Sequence, residues 1–159
     1  MNQLFAIQRE LDERILKEHN LNRGEIHAEK MLALLVEIGE LANETRCFKY
    51  WSKKPASDRD VIAEEYVDGL HFILSLGLDG GWEEVPEAGG NPGAGVTEQF
   101  HRVYETALSL KETFSKEYFL DLFEAYITLG YKLGFSKEDM EAAYLQKNEA
   151  NHQRQEEGY

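Results

Sequence analysis

The chain has 159 residues, of which 42% are hydrophobic and 11% aromatic, enough apolar material for the core of a single domain over residues 1–159. Its formal net charge of -13 excludes a broad basic surface, so we expect neither nucleic acid nor an anionic membrane as a partner. Cys47 is the only cysteine, which excludes an intrachain disulfide and a thiolate metal cluster and favours a reducing cytoplasm. No apolar run reaches the roughly 18 residues of a membrane span.

Hydrophobic periodicity predicts helices in the first half of the chain. Residues from about 2 to 19 place apolar side chains three and four apart among Glu, Arg and Lys, as in an amphipathic helix. From about 25 to 47 apolar residues surround the whole helix, which predicts a central helix or an oligomer interface. Pro55 and a lysine pair end this helix, and Asp58 is expected to cap the next, which is apolar nearly all round to Leu78.

The second half begins with a Gly-rich segment, residues 80–96, which holds prolines and lacks hydrophobic periodicity. We interpret it as a loop between helices of one bundle, without the pattern of a phosphate-binding loop. Helices are predicted from Thr97 to about Phe114, from Lys116 to about Phe135, and after a cap at Ser136. Strand signals are absent, so the sequence predicts an all-α fold, a bundle of five or six helices.

Two pairs of acids stand in the apolar helices. In VEIGELANE, Glu37 and Glu40 are three residues apart, and in EEYVDGLHF so are Glu65 and Asp68. This spacing puts each pair on one helix face, with Cβ atoms roughly 5–6 Å apart. Buried carboxylates need a compensating cation, and an all-oxygen set suits Mg²⁺ or Mn²⁺. The pairs therefore predict a divalent-cation site facing an anionic ligand, with a solvated acidic stripe as the alternative.

The E-x-x-E and E-x-x-D pairs, joined by a short connector, resemble those of the all-α nucleoside triphosphate pyrophosphatase superfamily, which includes the MazG-like enzymes. The runs FKYWSKKP, DGLHFILSLG and YLQKNEANHQRQEEGY are similar to those of the dimeric all-α dUTP pyrophosphatases. The resemblance implies a homodimer that hydrolyses dUTP, and also dUDP, to dUMP with Mg²⁺, limiting uracil incorporation into DNA. It makes Glu37, Glu40, Glu65 and Asp68 metal ligands, Glu37 and Glu40 catalytic, and Glu40 the residue that orients the attacking water.

The resemblance also implies contacts to the phosphates and sugar. Lys147, Asn151 and Arg154 share a helix face through their spacing, and their polar groups suit phosphate oxygens and sugar hydroxyls. Without the resemblance, this segment is interpreted as a solvated terminal helix. Lys53 lies on the connector that approaches the nucleotide in the family.

Selection of uracil calls for a tight pocket with an aromatic wall and an amide that pairs with the base. Phe72, four residues after Asp68, is expected to stack on the base, and His71 to donate a hydrogen bond. Gln8, on the buried side of the first helix, is the expected amide, and Trp51 is expected to close the pocket.

Other interpretations stay open. A pyrophosphatase of the same superfamily that acts on dCTP, or on a broader set of nucleoside triphosphates, would share the carboxylates. A di-iron carboxylate bundle would need Glu-x-x-His pairs where this chain has Glu-x-x-Glu and Glu-x-x-Asp. A non-enzymatic helical interaction module would use the apolar faces only as an interface.

Overall fold

The computed structural model describes residues 1–90 and 92–158, so Asn91 and Tyr159 lie outside it. The described residues form a 3-10 helix, Arg23–Ile26, and no β-strand. They also form six α-helices: α1 Gln3–Glu18, α2 His27–Thr45, α3 Arg59–Gly80, α4 Val96–Glu112, α5 Lys116–Lys132 and α6 Lys137–Glu156. The predicted all-α bundle is therefore confirmed. None of the described helices is long and apolar enough to cross a membrane.

Local signals set several of the helix ends. Ser136 begins α6 with a capping box, in which its hydroxyl accepts from the Asp139 backbone N–H and the Asp139 carboxylate accepts from the Ser136 N–H. Gly81, with a φ of 76°, follows α3 in the left-handed conformation that glycine adopts at low cost. Asp58 is the N-cap residue of α3, as predicted, but its side chain forms no capping hydrogen bond with a described residue.

Helix α3 lies at the centre of the bundle. It packs against α2 and also against α1, α5 and α6, while α4 packs on α5 and touches α2. The buried apolar side chains join in one core. The central position predicted for residues 25–47 is therefore wrong. Helix α2 is peripheral, because the part of its apolar surface that carries Leu32 and Val36 faces outward, leaving them 63% and 49% exposed.

The described part of the Gly-rich segment runs between α3 and α4 and contacts α5. The Thr128 hydroxyl donates to the Gly89 carbonyl at 3.0 Å and accepts from the Gly89 backbone N–H at 3.2 Å. Lys132 Nζ donates to the Ala94 carbonyl oxygen at 2.7 Å. These contacts fasten the segment to the side of the bundle that α5 forms, whereas the acid pairs lie where α2 meets α3.

Candidate functional site

The acids of α2 and α3 meet where these helices pack. Glu37, Glu65 and Asp68 each offer a carboxylate oxygen, and these three oxygens lie within 4.8 Å of one another. The carboxyl group of Glu40 lies within hydrogen-bonding reach of those of Glu37 and Glu65. The side chain of Glu40 is exposed, whereas the other three are half-buried. The structure thus brings together the four acids that the spacing put on two helix faces. The set of three close oxygens does not include Glu40, so its role as a metal ligand stays a prediction.

Burial and like charge shift the protonation of these acids. Burial raises the pKa of Glu37 to about 8, and repulsion from Asp68, Glu40 and Glu65 adds to the shift. Burial likewise raises the pKa of Glu65 to about 7, with Asp68 and Glu40 adding and Lys147 opposing. The pKa of Asp68 is also raised by burial, against the lowering effect of Lys147. A cluster of this kind favours either a bound proton or a bound cation.

The surroundings of two carboxylate oxygens in the cluster indicate whether a metal ion would fit there. Glu37 Oε2 and Glu65 Oε2 are buried and receive no hydrogen bond from the described residues. A buried carboxylate oxygen without a partner costs free energy that an ion would recover. Three carboxylates are hard ligands that suit Mg²⁺ or Mn²⁺. The donor set therefore fits a hard divalent cation better than a solvated stripe.

Helix α6 brings positive charge to the cluster. Lys147 Nζ lies 2.8 Å from Glu64 Oε1 and 3.2 Å from Asp68 Oδ1, and its side chain is only 10% exposed. Arg154 acts on Glu64 and Asp68 by charge attraction. The edge of the acid cluster thus carries cations suited to the oxygens of an anionic ligand.

A cavity of about 300 Å³ lies beside the acids. Apolar side chains of α1 form part of its wall, including Leu11 and Ile15. Two of the four acids, Glu37 and Asp68, line it. So do all the predicted ligand contacts except Trp51 and Lys53, namely Gln8, His71, Phe72, Lys147, Asn151 and Arg154. The cavity therefore joins a charged end to a polar and aromatic end, as a site for a small anionic molecule requires.

Gln8 is held by hydrogen bonds at the polar end of the cavity. Its Oε1 accepts from the Tyr144 hydroxyl at 2.7 Å and lies 2.5 Å from His71 Nδ1, while its Nε2 donates to Asp12 Oδ1 at 2.8 Å. Burial lowers the pKa of His71 to about 3, and Lys147 adds to this shift, so the imidazole is neutral at pH 7. Because a carbonyl oxygen only accepts, Nδ1 carries the ring proton. The N–H group of His71 thus donates to Gln8, whereas the sequence predicted that it would donate to the base.

Asp12 is part of an ionic cluster in the wall of the cavity. Its Oδ2 accepts from the Ser75 hydroxyl at 2.7 Å and from Arg23 Nη1 at 3.0 Å. Arg23 Nη1 also donates to Asp79 Oδ1 at 2.8 Å, and Lys30 Nζ donates to Asp79 Oδ2 at 2.8 Å. These contacts tie the 3-10 helix and α2 to α1 and α3, and so fix one wall of the cavity.

Trp51 and Lys53 lie on the connector between α2 and α3. Trp51 is 64% exposed and its ring contacts those of Phe48 and Tyr50, and Lys53 is exposed as well. Neither side chain lines the cavity. Their contact with a nucleotide stays a prediction.

Sequence reasoning missed the roles of Tyr144, Ser75 and Lys30 and left that of Asp12 open. A signal for most of them was present, because polar residues recur four apart on otherwise apolar helix faces: Gln8 and Asp12, His71 and Ser75, Tyr144 and Asn148. Each of these six residues is buried, with at most 9% of its surface exposed. Buried polar side chains in such a pattern indicate a shared hydrogen-bond network.

Comparison with known proteins agrees with this geometry. The family model described as dUTPase matches residues 1–159, the whole chain. The match spans both acid pairs and the last helix, which carries Lys147 and Arg154. No curated protein sequence matches the chain significantly.

Proposed function

We propose that this chain, which belongs to the dUTPase family and hydrolyses dUTP, carries out that reaction with Mg²⁺ held by Glu37, Glu65 and Asp68. The observation that carries the proposal is the set of three carboxylate oxygens within 4.8 Å of one another. Mn²⁺ has the same ligand preference and is expected to substitute. When bound, Mg²⁺ supplies positive charge to the phosphate oxygens and makes water more acidic.

Glu40 and Glu37 are the proposed catalytic acids, and Glu40 orients the attacking water. Its exposure supports this role, because water and substrate have access to a carboxylate at the edge of the cluster. Its carboxyl group also lies within hydrogen-bonding reach of Glu37 and Glu65, which keeps it beside the metal ligands. A positioned carboxylate that accepts a hydrogen bond from water acts as a general base.

Lys147 and Arg154 are the proposed phosphate contacts, and Asn151 contacts the sugar or a phosphate. All three line the cavity next to Asp68. A chain with a net charge of -13 repels a triphosphate, so local cations are needed where the phosphates bind. Lys147 already lies between Glu64 and Asp68, and donating to a phosphate oxygen instead gives it a charge-assisted hydrogen bond.

The uracil base is proposed to occupy the end of the cavity lined by Gln8, His71 and Phe72. Phe72 is half-buried and offers a ring on which the base stacks. Gln8 and His71 offer hydrogen-bonding groups on buried side chains. Buried polar groups of this kind reject bases that leave them unpaired.

The test is an assay of hydrolysis with dUTP, dUDP, dTTP, dCTP and UTP side by side, in Mg²⁺, in Mn²⁺ and in excess chelator. We expect dUTP, and at a lower rate dUDP, to be hydrolysed in either metal, with no turnover in chelator. Equal rates on dUTP and dCTP would contradict the proposed base contacts and favour the broader pyrophosphatase. Undiminished hydrolysis in chelator would contradict the metal site.

A homodimer is also proposed, with the exposed side of α2 in its interface. Support comes from Leu32 and Val36, large apolar side chains one helical turn apart that are 63% and 49% exposed. Leu108 of the neighbouring α4 is exposed as well. Light scattering should give a dimer for the parent protein and a monomer for Leu32→Glu. A monomeric parent protein would refute the proposal.

A cytoplasmic location is proposed from the single cysteine, Cys47, which forms no disulfide in the described chain. The substrate, a deoxynucleoside triphosphate, is consistent with that compartment. Cell fractionation that recovers the protein outside the cytoplasmic fraction would contradict it.

A further inference from the structure

We propose that Tyr144 is a positioning residue for base selection: its hydroxyl holds the Gln8 amide and the His71 ring so that the cavity presents a donor beside an acceptor. This inference rests on the proposed function, in which Gln8 and His71 contact the base. Tyr144 lies on α6 and does not line the cavity, so it acts on the base only through Gln8 and His71.

The orientation of the Gln8 amide is fixed from both ends. Its Nε2 donates to Asp12 Oδ1 at 2.8 Å, and Asp12 Oδ2 accepts from the Ser75 hydroxyl and from Arg23. At the other end, the Tyr144 hydroxyl donates to Gln8 Oε1 at 2.7 Å. A reversed amide would set its oxygen against the Asp12 carboxylate and would turn an N–H group toward the Nδ1–H of His71. Gln8 lines the cavity, and its Nε2 carries a second N–H group beyond the one that Asp12 takes.

The same contacts fix the tautomer of His71. Nδ1 donates to Gln8 Oε1, so in the neutral ring Nε2 carries a lone pair and no proton. His71 is only 6% exposed and lines the cavity, and its Nε2 is buried without a hydrogen-bond partner among the described residues. Tyr144 also stacks on the imidazole, with ring centroids 4.4 Å apart and an angle of 28° between the planes. The ring is thus held with an unsatisfied acceptor.

A donor beside an acceptor complements the imide edge of uracil. A uracil carbonyl accepts from the Gln8 N–H, and the ring N3–H donates to His71 Nε2. Cytosine carries no proton on N3, so the lone pair of N3 would face the lone pair of Nε2 and both would stay unpaired. Buried polar groups left unpaired in this way disfavour the wrong ligand strongly. The polar pattern therefore excludes cytosine, while thymine shares the imide and must be excluded by its methyl group.

Tyr144→Phe tests the role because it keeps the stacked ring and removes only the hydroxyl. Without that donor only Asp12 and the Nδ1–H of His71 hold the Gln8 amide, so the amide and the ring are less firmly positioned. As a result, kcat/KM for dUTP should fall and the dUTP-to-dCTP ratio of kcat/KM should drop about tenfold or more. A structural loss alone would lower both rates and leave their ratio unchanged. Tyr104→Phe is the matched control, since its hydroxyl donates to the Leu35 carbonyl at 3.3 Å, outside the cavity, and its ratio should stay as in the parent.

Nitrogen NMR of the imidazole rings is a second test, and it does not depend on measuring the activity of a variant. In the parent protein the His71 signals, assigned by their loss in His71→Asn, should show a protonated Nδ1 and an unprotonated Nε2. A protonated Nε2 would overturn the inference even if Tyr144→Phe does not fold.

Different results would refute the proposed base contacts and the role of Tyr144. A parent enzyme that hydrolyses dUTP and dCTP equally would refute both the base contacts of the proposed function and this inference. A parent that discriminates, together with a folded Tyr144→Phe that discriminates equally well, would refute only the role of Tyr144.

Discussion

Lys147 Nζ lies 3.2 Å from Asp68 Oδ1, so one side chain of the last helix joins the acid cluster to the cavity. Lys147 lowers the pKa of both Asp68 and Glu65 against the effect of their burial. It therefore keeps these acids closer to the charged form that binds a cation. In the proposed site the same ammonium group contacts a phosphate oxygen.

Replacing Lys147 with Gln should lower kcat/KM for dUTP about 10- to 100-fold, because hydrogen bonds of a charged group contribute about 1.5–3 kcal/mol. Steady-state kinetics at saturating Mg²⁺ measures this effect. Lys137→Gln, an exposed lysine at the start of the same helix, is the control. A rate for Lys147→Gln within twofold of that control would contradict the assignment.

Glu40→Gln should reduce turnover of dUTP at least about 100-fold, the usual contribution of a positioned general base. Because Glu37, Glu65 and Asp68 stay in place, the variant should keep its fold and its divalent cation. Circular dichroism and kinetics together measure this separation. Glu29→Gln, an exposed acid on the same helix, should retain parental activity. Full activity of Glu40→Gln would remove Glu40 from the mechanism.

Stability of the metal-free protein should fall as pH rises. The pKa values of Glu37 and Glu65 lie at about 8 and about 7 in the folded chain, against an ordinary value of 4.5. Between these limits the folded state binds more protons than the unfolded state, so the free energy of unfolding decreases with pH. Their contribution is fully present below pH 4.5 and is lost as pH passes 8.

Urea unfolding at a series of pH values in chelator measures this trend. Added Mg²⁺ takes the place of the protons, so its apparent affinity should rise over the same pH window. Glu37→Gln should flatten the dependence. Below pH 6.5 the lowered pKa of His71 acts in the opposite direction, so the window from pH 6.5 to pH 8 is decisive. An unfolding free energy that rises across this window in the parent protein would contradict the raised pKa values of Glu37 and Glu65.

Gly69 follows Asp68, a proposed metal ligand, and leaves room for the ring of Tyr126. The Tyr126 hydroxyl donates to the Tyr66 carbonyl at 2.6 Å, and the Tyr66 hydroxyl donates to the Tyr126 carbonyl at 2.9 Å, which locks α5 onto α3. A Cβ at position 69 would collide with the Tyr126 hydroxyl. Gly69→Ala should therefore destabilise the fold by about 1–3 kcal/mol, although alanine is the better helix former.

Chemical denaturation of Gly69→Ala beside Gly24→Ala measures this cost. At position 24 a Cβ would make only an ordinary contact, 3.6 Å from Asn22 Oδ1, so that variant should stay close to the parent. Equal stability of Gly69→Ala and the parent would show that Tyr126 moves aside freely.

The sequence was informative where function depends on spacing along one helix. The i, i+3 acid pairs predicted the cluster because the geometry within a helix is fixed. The peripheral position of α2 did not follow, since an apolar surface all round a helix arises both in a core and at an interface. The contacts of Gln8 with His71 and Tyr144 join residues 63 and 136 positions apart, so only the packing of α1, α3 and α6 reveals them.

The most direct test of the central claim is Mn²⁺ binding to metal-free protein, measured by electron paramagnetic resonance without nucleotide. The parent and Glu29→Gln should bind Mn²⁺, and Asp68→Asn should lose most of that binding, because Asp68 is one of the three carboxylates whose oxygens lie within 4.8 Å of one another. Parental Mn²⁺ affinity in a folded Asp68→Asn would contradict the proposal that Glu37, Glu65 and Asp68 hold the metal for dUTP hydrolysis.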